Sequence, residues 1–258
     1  SLKEAQENGY IKTNFHLWGS LSGRIITYNP SIQNLPKYYK KYILPLSYGE
    51  SVYELDIKSA EIMALGYLTK EETILSIIGR GDDIYTYIFS KIFNKNPEYI
   101  TESTRDLVKR MTNGINLGLG IEKLRDMLNN SGILKRSITE LEAEKIRSKY
   151  YELFPKVKEH FLNIRKSNKL TTELNLEIDV EVSYKNQSFN QQNVIATLMK
   201  YILTSMTDYK HKIVNVVHDS IWFSCSSDEL AGLDSEIDVE KTSVLDRNLS
   251  DCSETAET

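Results

Sequence analysis

Short apolar runs and helical spacing alternate along the first part of the chain. The run "VYELDI" at 52–57 predicts a short strand. The next segment, "SAEIMALGYL", predicts a helix with Ser59 as its N-cap. Two further helices are predicted at 71–80 and 83–94, the second opening at "GDDIYTYIF". This part of the chain therefore predicts one strand followed by several helices.

The second half of the chain predicts more helices and then a hairpin. Helical spacing dominates 103–129, where glycines interrupt it, and 139–166, where it breaks near Pro155. A weak extended stretch follows at 174–184, and "FNQQNVIATLMKYILTSMTDY" predicts a strong helix. "NVVHDSIWFS" then places His-Asp-Ser between two apolar runs, as in a hairpin. The order predicts an α+β protein whose helical subdomain is inserted between sheet elements.

Charge is unevenly distributed between the body and the end of the chain. Residues 226–258 carry ten acidic and two basic side chains, a net charge of −8. The rest has 30 basic and 26 acidic side chains, a net charge of +4, which permits a polyanionic partner. The acidic segment has no aromatic residue and low hydrophobicity, so we expect a disordered tail.

Composition narrows the class of protein further. The 258 residues are 40% hydrophobic and 26% charged, as expected for a protein with a sizeable core. Neither a signal-peptide pattern nor an apolar run of about 18 residues occurs, so we expect no membrane partner. Two cysteines suggest neither a disulfide framework nor a zinc cluster. We therefore expect a cytoplasmic protein.

The aspartate of the predicted hairpin, Asp219, needs an explanation. A buried carboxylate is costly unless a positive group meets it, although a polar hairpin turn would also accommodate Asp. A second strand-end carboxylate, Asp56, lies in "YELDIKSAEI". Two such carboxylates could hold a pair of Mg²⁺ ions about 3.5–4 Å apart, together with phosphates and water.

Six ordered segments resemble the polymerase domain of family A DNA polymerases, the bacterial DNA polymerase I type. "SGRIITYNPSIQNLP" is similar to T-G-R-L-S-S-x-x-P-N-L-Q-N-I-P, and "LDIKSAEIMAL" to motif A, D-Y-S-Q-I-E-L-R. "RDLVKRMTNGINLGLG" resembles motif B, R-x-x-x-K-x-x-x-F-G-x-x-Y-G, and "VVHDSIW" resembles motif C, V-H-D-E. "GRGDDIYT" and "YYELFPKVKEHF" resemble G-E-D-I-H-T and Y-F-x-R-Y-P-G-V. The similarity covers about residues 10–225.

The resemblance implies a DNA-directed DNA polymerase, a nucleotidyltransferase that adds dNTPs to a primer 3′-hydroxyl. Asp56 and Asp219 would be the catalytic residues and, with the backbone carbonyl of Ile57, the metal ligands. The implied cofactor is Mg²⁺, as two ions, for which Mn²⁺ can substitute. Primer-template DNA and dNTPs would be the partners, and the oligomeric state stays open.

The same motifs imply further contacts. The nucleotide-binding positions are Glu61, Tyr85, Arg105, Lys109 and Asn113. The DNA-binding positions are Arg24, Gln33, Asn34, Gln192 (or Gln191) and His218. Several have simpler alternatives: a solvated helix face for Arg105 and Lys109, a turn for Gln33 and Asn34, a first-turn acid for Glu61 and core packing for His218.

The chain departs from the family pattern at several positions. Asn113 and Leu117 replace the motif B Phe and Tyr, and Tyr85 replaces the His of D-I-H-T. Met63 replaces the motif A Arg, and Ser220 replaces the motif C Glu. Altered nucleotide selection is the expected consequence.

These matches predict a right-hand domain arrangement without a thumb in this chain. The palm would comprise residues 1–80 and 206–225, the fingers 81–205 and the acidic tail 226–258. The chain would begin inside the palm, as a fragment or a truncated product. The abundance of Ile, Lys, Asn and Tyr suits an AT-rich genome, so we expect a bacterial or phage-infected host cell.

Two other functions stay open. A single-subunit RNA polymerase of the phage type is favoured by "HDS" and by the Lys109-Arg110 pair, but Glu61 and "NPSIQNLP" belong to the DNA polymerase pattern. The departures and the unusual tail also fit a decayed polymerase fold that only binds DNA or a protein.

Overall fold

The computed structural model describes most of the chain up to residue 230 and one later segment. The described residues are 6–7, 10–134, 136–181, 186–206, 208, 212–217, 219–230 and 241–245. The chain divides into two compact units. Unit 1 comprises Ser1–Ala60 and Ile195–Thr258, and unit 2 comprises Glu61–Val194.

An antiparallel sheet of four strands is the centre of unit 1. The strands are β5 (Ser51–Asp56), β8 (Ile213–Val217), β9 (Ser220–Cys225) and β10 (Lys241–Leu245), in the spatial order β10-β5-β9-β8. Every side chain of β9 is buried, as its unbroken apolar and small-residue sequence requires in an inner strand. The β8–β9 pair is the hairpin that the sequence predicts.

Unit 1 opens with four short strands and two 3₁₀ turns. β1 (Gln6–Glu7) pairs with β2 (Tyr10–Ile11), and β3 (Asn14–His16) pairs with β4 (Ile26–Tyr28), both antiparallel. The 3₁₀ turns Ile32–Asn34 and Lys37–Tyr42 follow, the first after a cis peptide bond at Asn29-Pro30.

Helices dominate unit 2, with one small hairpin of β6 (Lys169–Thr171) and β7 (Glu177–Asp179). The helices are α1 (Ala60–Thr69), α2 (Glu72–Gly79), α3 (Ile84–Phe93), α4 (Glu102–Asn116), α5 (Ile121–Asn129), α6 (Glu140–Leu153) and α7 (Pro155–Ile164). α8 (Gln187–Ser205) crosses the division between the units. None of the helices in the described part of the chain has the length and apolar character needed to cross a membrane.

The helix ends in unit 2 follow local sequence signals. Asp83 and Thr101 are the N-caps of α3 and α4, and each accepts a hydrogen bond from a backbone N–H three residues on. Gly118, with φ of 83°, lies in the break between α4 and α5, and Pro155 starts α7. The apolar faces of α1–α7 meet in one core that includes Leu65, Ile88, Met111, Leu124, Tyr150 and Phe154.

The α+β class is confirmed, and two details differ from the sequence prediction. Ser59 has φ of 55° instead of the extended backbone of an N-cap. Part of the predicted tail forms β10, because "KTSVL" contains β-branched residues and pairs along β5. The palm and fingers assignment stays a prediction.

Candidate active site

The sheet of unit 1 brings the two predicted aspartates to adjacent strand ends. Asp56 is the last residue of β5 and is opposite Ser220, the first residue of β9. Asp219 directly precedes Ser220, and its carbonyl accepts a hydrogen bond of 3.2 Å from the Ile57 N–H. Both aspartates are partly exposed. Asp56 and Asp219, 163 positions apart in the sequence, therefore lie at neighbouring ends of the two inner strands.

The oxygen atoms at these two strand ends fit a magnesium ion. Carboxylate oxygens of Asp56 and Asp219 and the main-chain carbonyl of Ile57 are hard oxygen donors, which Mg²⁺ prefers. No three His, Cys, Asp or Glu side chains in the described part of the chain form a group that could hold a metal ion. The pair of Asp56 and Asp219 suits an ion whose remaining ligands are water and substrate phosphate.

A third carboxylate lies on the same strand. Glu54, two residues before Asp56, accepts hydrogen bonds at its Oε1 from Ser220 Oγ and from Trp222 Nε1, each at 2.9 Å. Ser220 and Trp222 are both buried. The sequence prediction did not include Glu54, because only the structure shows which β9 residues are opposite it.

In unit 2, Arg105 makes a two-pronged ion pair with Asp83. Its Nε and Nη2 donate to the two carboxylate oxygens at 3.0 and 2.6 Å. Burial raises the pKa of Asp83, but hydrogen bonds from Arg105 and Thr86 outweigh it and leave the pKa below its usual value. The Asp83 hydrogen bond in turn raises the pKa of Arg105. The pair holds the guanidinium in one orientation, and the Nη1 group is directed away from Asp83.

The other nucleotide-binding predictions in unit 2 have different surroundings. Tyr85 is fully buried beneath Arg105, whose guanidinium carbon lies 5.3 Å from the ring centre. This contact packs the Tyr85 ring against the Arg105 guanidinium, and the nucleotide-binding role of Tyr85 stays a prediction. Lys109 and Asn113 follow Arg105 at intervals of four residues along α4 and are partly exposed, and Glu61 lies in the first turn of α1.

The side-chain amide of Gln33 is hydrogen-bonded to backbone groups of unit 1. Its Nε2 donates to the carbonyls of Ile25 and Val216, at 3.1 and 2.7 Å, and its Oε1 accepts from the Thr27 N–H at 3.0 Å. These bonds use both amide hydrogens and tie the first 3₁₀ turn to β4 and β8. Asn34 is exposed and donates to Ser31 Oγ at 3.0 Å. The Asn34 bond to Ser31 is local to the turn, whereas the Gln33 bonds also reach β8, and the DNA-binding role of both residues stays a prediction.

Arg24 lies in a loop that α8 holds in place. Lys200 donates a short hydrogen bond to the carbonyl of Gly23 and lies 4.6 Å from the centre of the Trp18 ring. Burial lowers the pKa of Lys200. Gly23 has φ of 78°, and an added Cβ would approach Trp18 Cη2 at 3.1 Å, so glycine is required there.

The remaining predicted DNA contacts are on α8 and in the hairpin. Of the two glutamine candidates, Gln191 is buried and Gln192 is partly exposed, so Gln192 is the one that presents surface. His218 lies outside the described residues. Sequence reasoning missed Asp83, Lys200 and Glu54 as supporting residues; only Asp83 had a visible signal, its N-cap position before "IYT".

Comparison with solved structures identifies the fold. The chain is similar to the structure described as the POL domain of Pol1 from M. smegmatis in complex with DNA primer-template and dNTP. The TM-score is 0.76 at 20% identity, over 91% of this chain and 45% of that one. The class of protein is therefore one with the fold of a DNA polymerase domain.

Sequence comparison then gives the family. The model of DNA polymerase family A matches residues 1–180, so the chain belongs to that family and the resemblance is confirmed. DNA polymerase I of Aquifex aeolicus is 24% identical over 240 residues, 88% of this chain and 41% of the relative. DNA polymerase I of Caldicellulosiruptor bescii is 26% identical over 163 residues, 60% of this chain and 18% of the relative. The chain thus spans less than half the length of these relatives.

Proposed function

We propose that this chain carries out template-directed, Mg²⁺-dependent addition of dNTPs to the 3′-hydroxyl of a DNA primer. One observation supports this most directly. In a member of DNA polymerase family A, β5 and β9 bring Asp56 and Asp219 together at neighbouring strand ends. Primer-template DNA and dNTPs are the proposed partners.

In this proposal, residues 1–80 and 206–225 act as the palm. Asp56, Asp219 and the Ile57 carbonyl would hold two Mg²⁺ ions, which would supply charge neutralisation at the phosphate and a more acidic 3′-hydroxyl. The strand register sets the backbone of both aspartates side by side before substrate arrives, so we expect little backbone reorganisation in the reaction. Arg24, on the loop that Lys200 holds, contacts the primer-template backbone.

Residues 81–205 act as the fingers and bind the incoming nucleotide together with Glu61 of the palm. Arg105 and Lys109 are cations one helical turn apart on α4, which suits a triphosphate. Asp83 keeps the Arg105 fork oriented so that its Nη1 side is available. Glu61 lies where the family pattern places the acid that crowds the 2′-carbon of the sugar, and this favours dNTPs over rNTPs.

Primer extension tests the proposal. We expect Asp219→Ala to lower the rate of dNTP incorporation about a thousandfold, because several kcal/mol of charge stabilisation is lost. Asp228→Ala, at an exposed aspartate of the same unit, is the matched control and should retain wild-type activity.

Three results would contradict the proposal in different ways. Extension by Asp219→Ala at the wild-type rate would exclude the role of the strand-end pair. A preference for rNTPs would favour an RNA polymerase. DNA binding without any Mg²⁺-dependent extension by the wild type would favour a fold that only binds DNA.

A further inference from the structure

Four side chains of β5 and β9 share one face of the sheet. The register places Asp56 opposite Ser220 and Glu54 opposite Trp222. In an antiparallel pair, opposite residues project to the same side, and so do residues two apart on one strand. Glu54 is therefore on the Asp56 face, about 7 Å along the strand from that aspartate.

The Glu54 carboxylate is oriented by two buried donors. Ser220 Oγ and Trp222 Nε1 both donate to its Oε1, each at 2.9 Å, and both donor residues are only 3% exposed. Donors with so little access to water stabilise the ionised carboxylate in one position. Glu54 is thus a fixed negative charge next to the predicted metal ligands.

The identity of one donor makes the arrangement informative. Ser220 occupies the position at which motif C of the family pattern has glutamate, and here it donates to a glutamate on the neighbouring strand. We propose that Glu54 supplies, from β5, the acidic charge that the family pattern has at residue 220, with Ser220 and Trp222 as its positioning residues. This inference rests on the proposed function.

The expected effect is on metal affinity through charge, because the described residues form no three-membered ligand group that would include Glu54. A carboxylate two residues from Asp56 on the same face of the strand is near enough to attract a divalent cation held at Asp56 through its charge. Moving this charge from β5 to β9 should therefore preserve its effect, whereas removing or doubling it should not.

The test is a set of variants at the two positions. We expect Glu54→Ala and Glu54→Gln each to weaken Mn²⁺ binding and to lower the extension rate by about tenfold, the size of a coupled charge interaction. Ser220→Glu alone should lower the extension rate to a similar extent, because Glu54 loses the Ser220 donor and gains a carboxylate diagonal to it across the β5–β9 pair, and the two like charges repel. Glu54→Ala combined with Ser220→Glu should return to within about threefold of the wild type.

Mn²⁺ binding without DNA, followed by the EPR signal of the free ion, gives a measurement independent of activity. Glu54→Gln is the decisive variant, since its amide oxygen still accepts from Ser220 and Trp222 while the charge is gone. Wild-type Mn²⁺ binding by Glu54→Gln would overturn the inference, because Glu54 would then be only a structural acceptor. So would losses in the double variant that simply add.

The inference and the proposed function fail in distinguishable ways. If Asp219→Ala extends primers as well as the wild type, the proposed function is wrong. If Asp219→Ala is inactive but Glu54→Gln binds Mn²⁺ and extends primers normally, only the role of Glu54 is wrong.

Discussion

Asp83 combines two local tasks in unit 2. Its carboxylate caps α3 by accepting from the Thr86 N–H at 2.9 Å, and it holds both prongs of Arg105. The Asp83 and Arg105 side chains are 25% and 35% exposed, so the pair is only partly screened by water. One aspartate thereby links the start of α3 to the cation that we propose for triphosphate binding.

We predict that Asp83→Asn lowers the free energy of unfolding by about 1 kcal/mol. The asparagine still caps α3, but the negative charge that pairs with Arg105 is lost. Asp83→Ala, which loses both, should cost about 2 kcal/mol. Urea unfolding followed by far-UV circular dichroism measures the change. Asp82→Asn, in the exposed pair with Arg80, is the control and should change stability by less than about 0.5 kcal/mol.

The direction of the pH dependence follows from the lowered pKa of Asp83. Because the folded pKa lies below the unfolded value of about 3.9, the ion pair stabilises the protein above that value. The advantage of wild type over Asp83→Asn should be lost as pH falls through the folded pKa. An advantage that persists unchanged at pH 2 would show that the charge of Asp83 is not the cause.

Helix α4 holds Arg105, Lys109 and Asn113, and its start is capped by Thr101. The Thr101 Oγ1 accepts from the Thr104 N–H at 3.2 Å. Since the cap is exposed, it contributes through the helix end and not through packing. The helix that carries these three predicted nucleotide-binding residues is therefore stabilised at its start by a residue outside motif B.

Thr101→Ala should destabilise the protein by about 1 kcal/mol in urea, because one helix N–H loses its acceptor. The matched variant Thr101→Asp keeps an acceptor and adds a favourable charge at the helix N-terminus, so we expect a change of less than about 0.5 kcal/mol. Equal losses in both variants would mean that the methyl group of Thr101 matters and the cap does not.

Local signals account for most elements but not for the sheet edge. β5, the α4–α5 break and the β8–β9 hairpin follow from alternation, glycine and paired apolar runs. β10 was not predicted, because its position depends on pairing with β5. The strongly acidic sequence around it predicts disorder instead of a strand. The break before α7 at Pro155 was visible in the sequence.

The site shows the same division between local and long-range information. The setting of Asp56 and Asp219 at strand ends was readable, since each follows an apolar strand. Glu54 was not, because its partners are more than 160 residues away and only the register reveals them. The full use of the Gln33 amide by backbone groups and the burial of Tyr85 also depend on contacts distant in sequence.

At the scale of the whole molecule, unit 1 has an ion network at the end of β5 opposite to Asp56. Lys212 Nζ donates to Glu50 at 2.9 Å and to Glu229 at 2.6 and 2.7 Å. The Lys212 and Glu50 side chains are 16% and 12% exposed, so removal of the lysine leaves a mostly buried carboxylate. The network joins the segment before β5 to the segments on both sides of the β8–β9 hairpin.

The pKa values of this network predict how its contribution varies with pH. The Lys212 hydrogen bond lowers the pKa of Glu229 to about 2. Burial raises the pKa of Glu50, but bonds from Lys212 and Ser224 outweigh it and leave the pKa below its usual value. Lowered carboxyl pKa values stabilise the folded state above the unfolded value of about 4.3, and the effect disappears as pH falls through the folded values.

Lys212→Met should therefore cost about 2 kcal/mol at pH 7 and clearly less as the pH approaches 2, because the pH then passes below the unfolded carboxyl pKa values and reaches the folded pKa of Glu229. Both tryptophans, Trp18 and Trp222, belong to unit 1, so their fluorescence during urea unfolding reports the unit that contains the network. Lys169→Met, in the exposed pair with Glu177, is the control and should change stability by less than about 0.5 kcal/mol. A Lys212→Met loss of the same size at pH 7 and near pH 2 would mean that the lysine stabilises unit 1 through its methylene chain, because only the charged interaction is removed by acid.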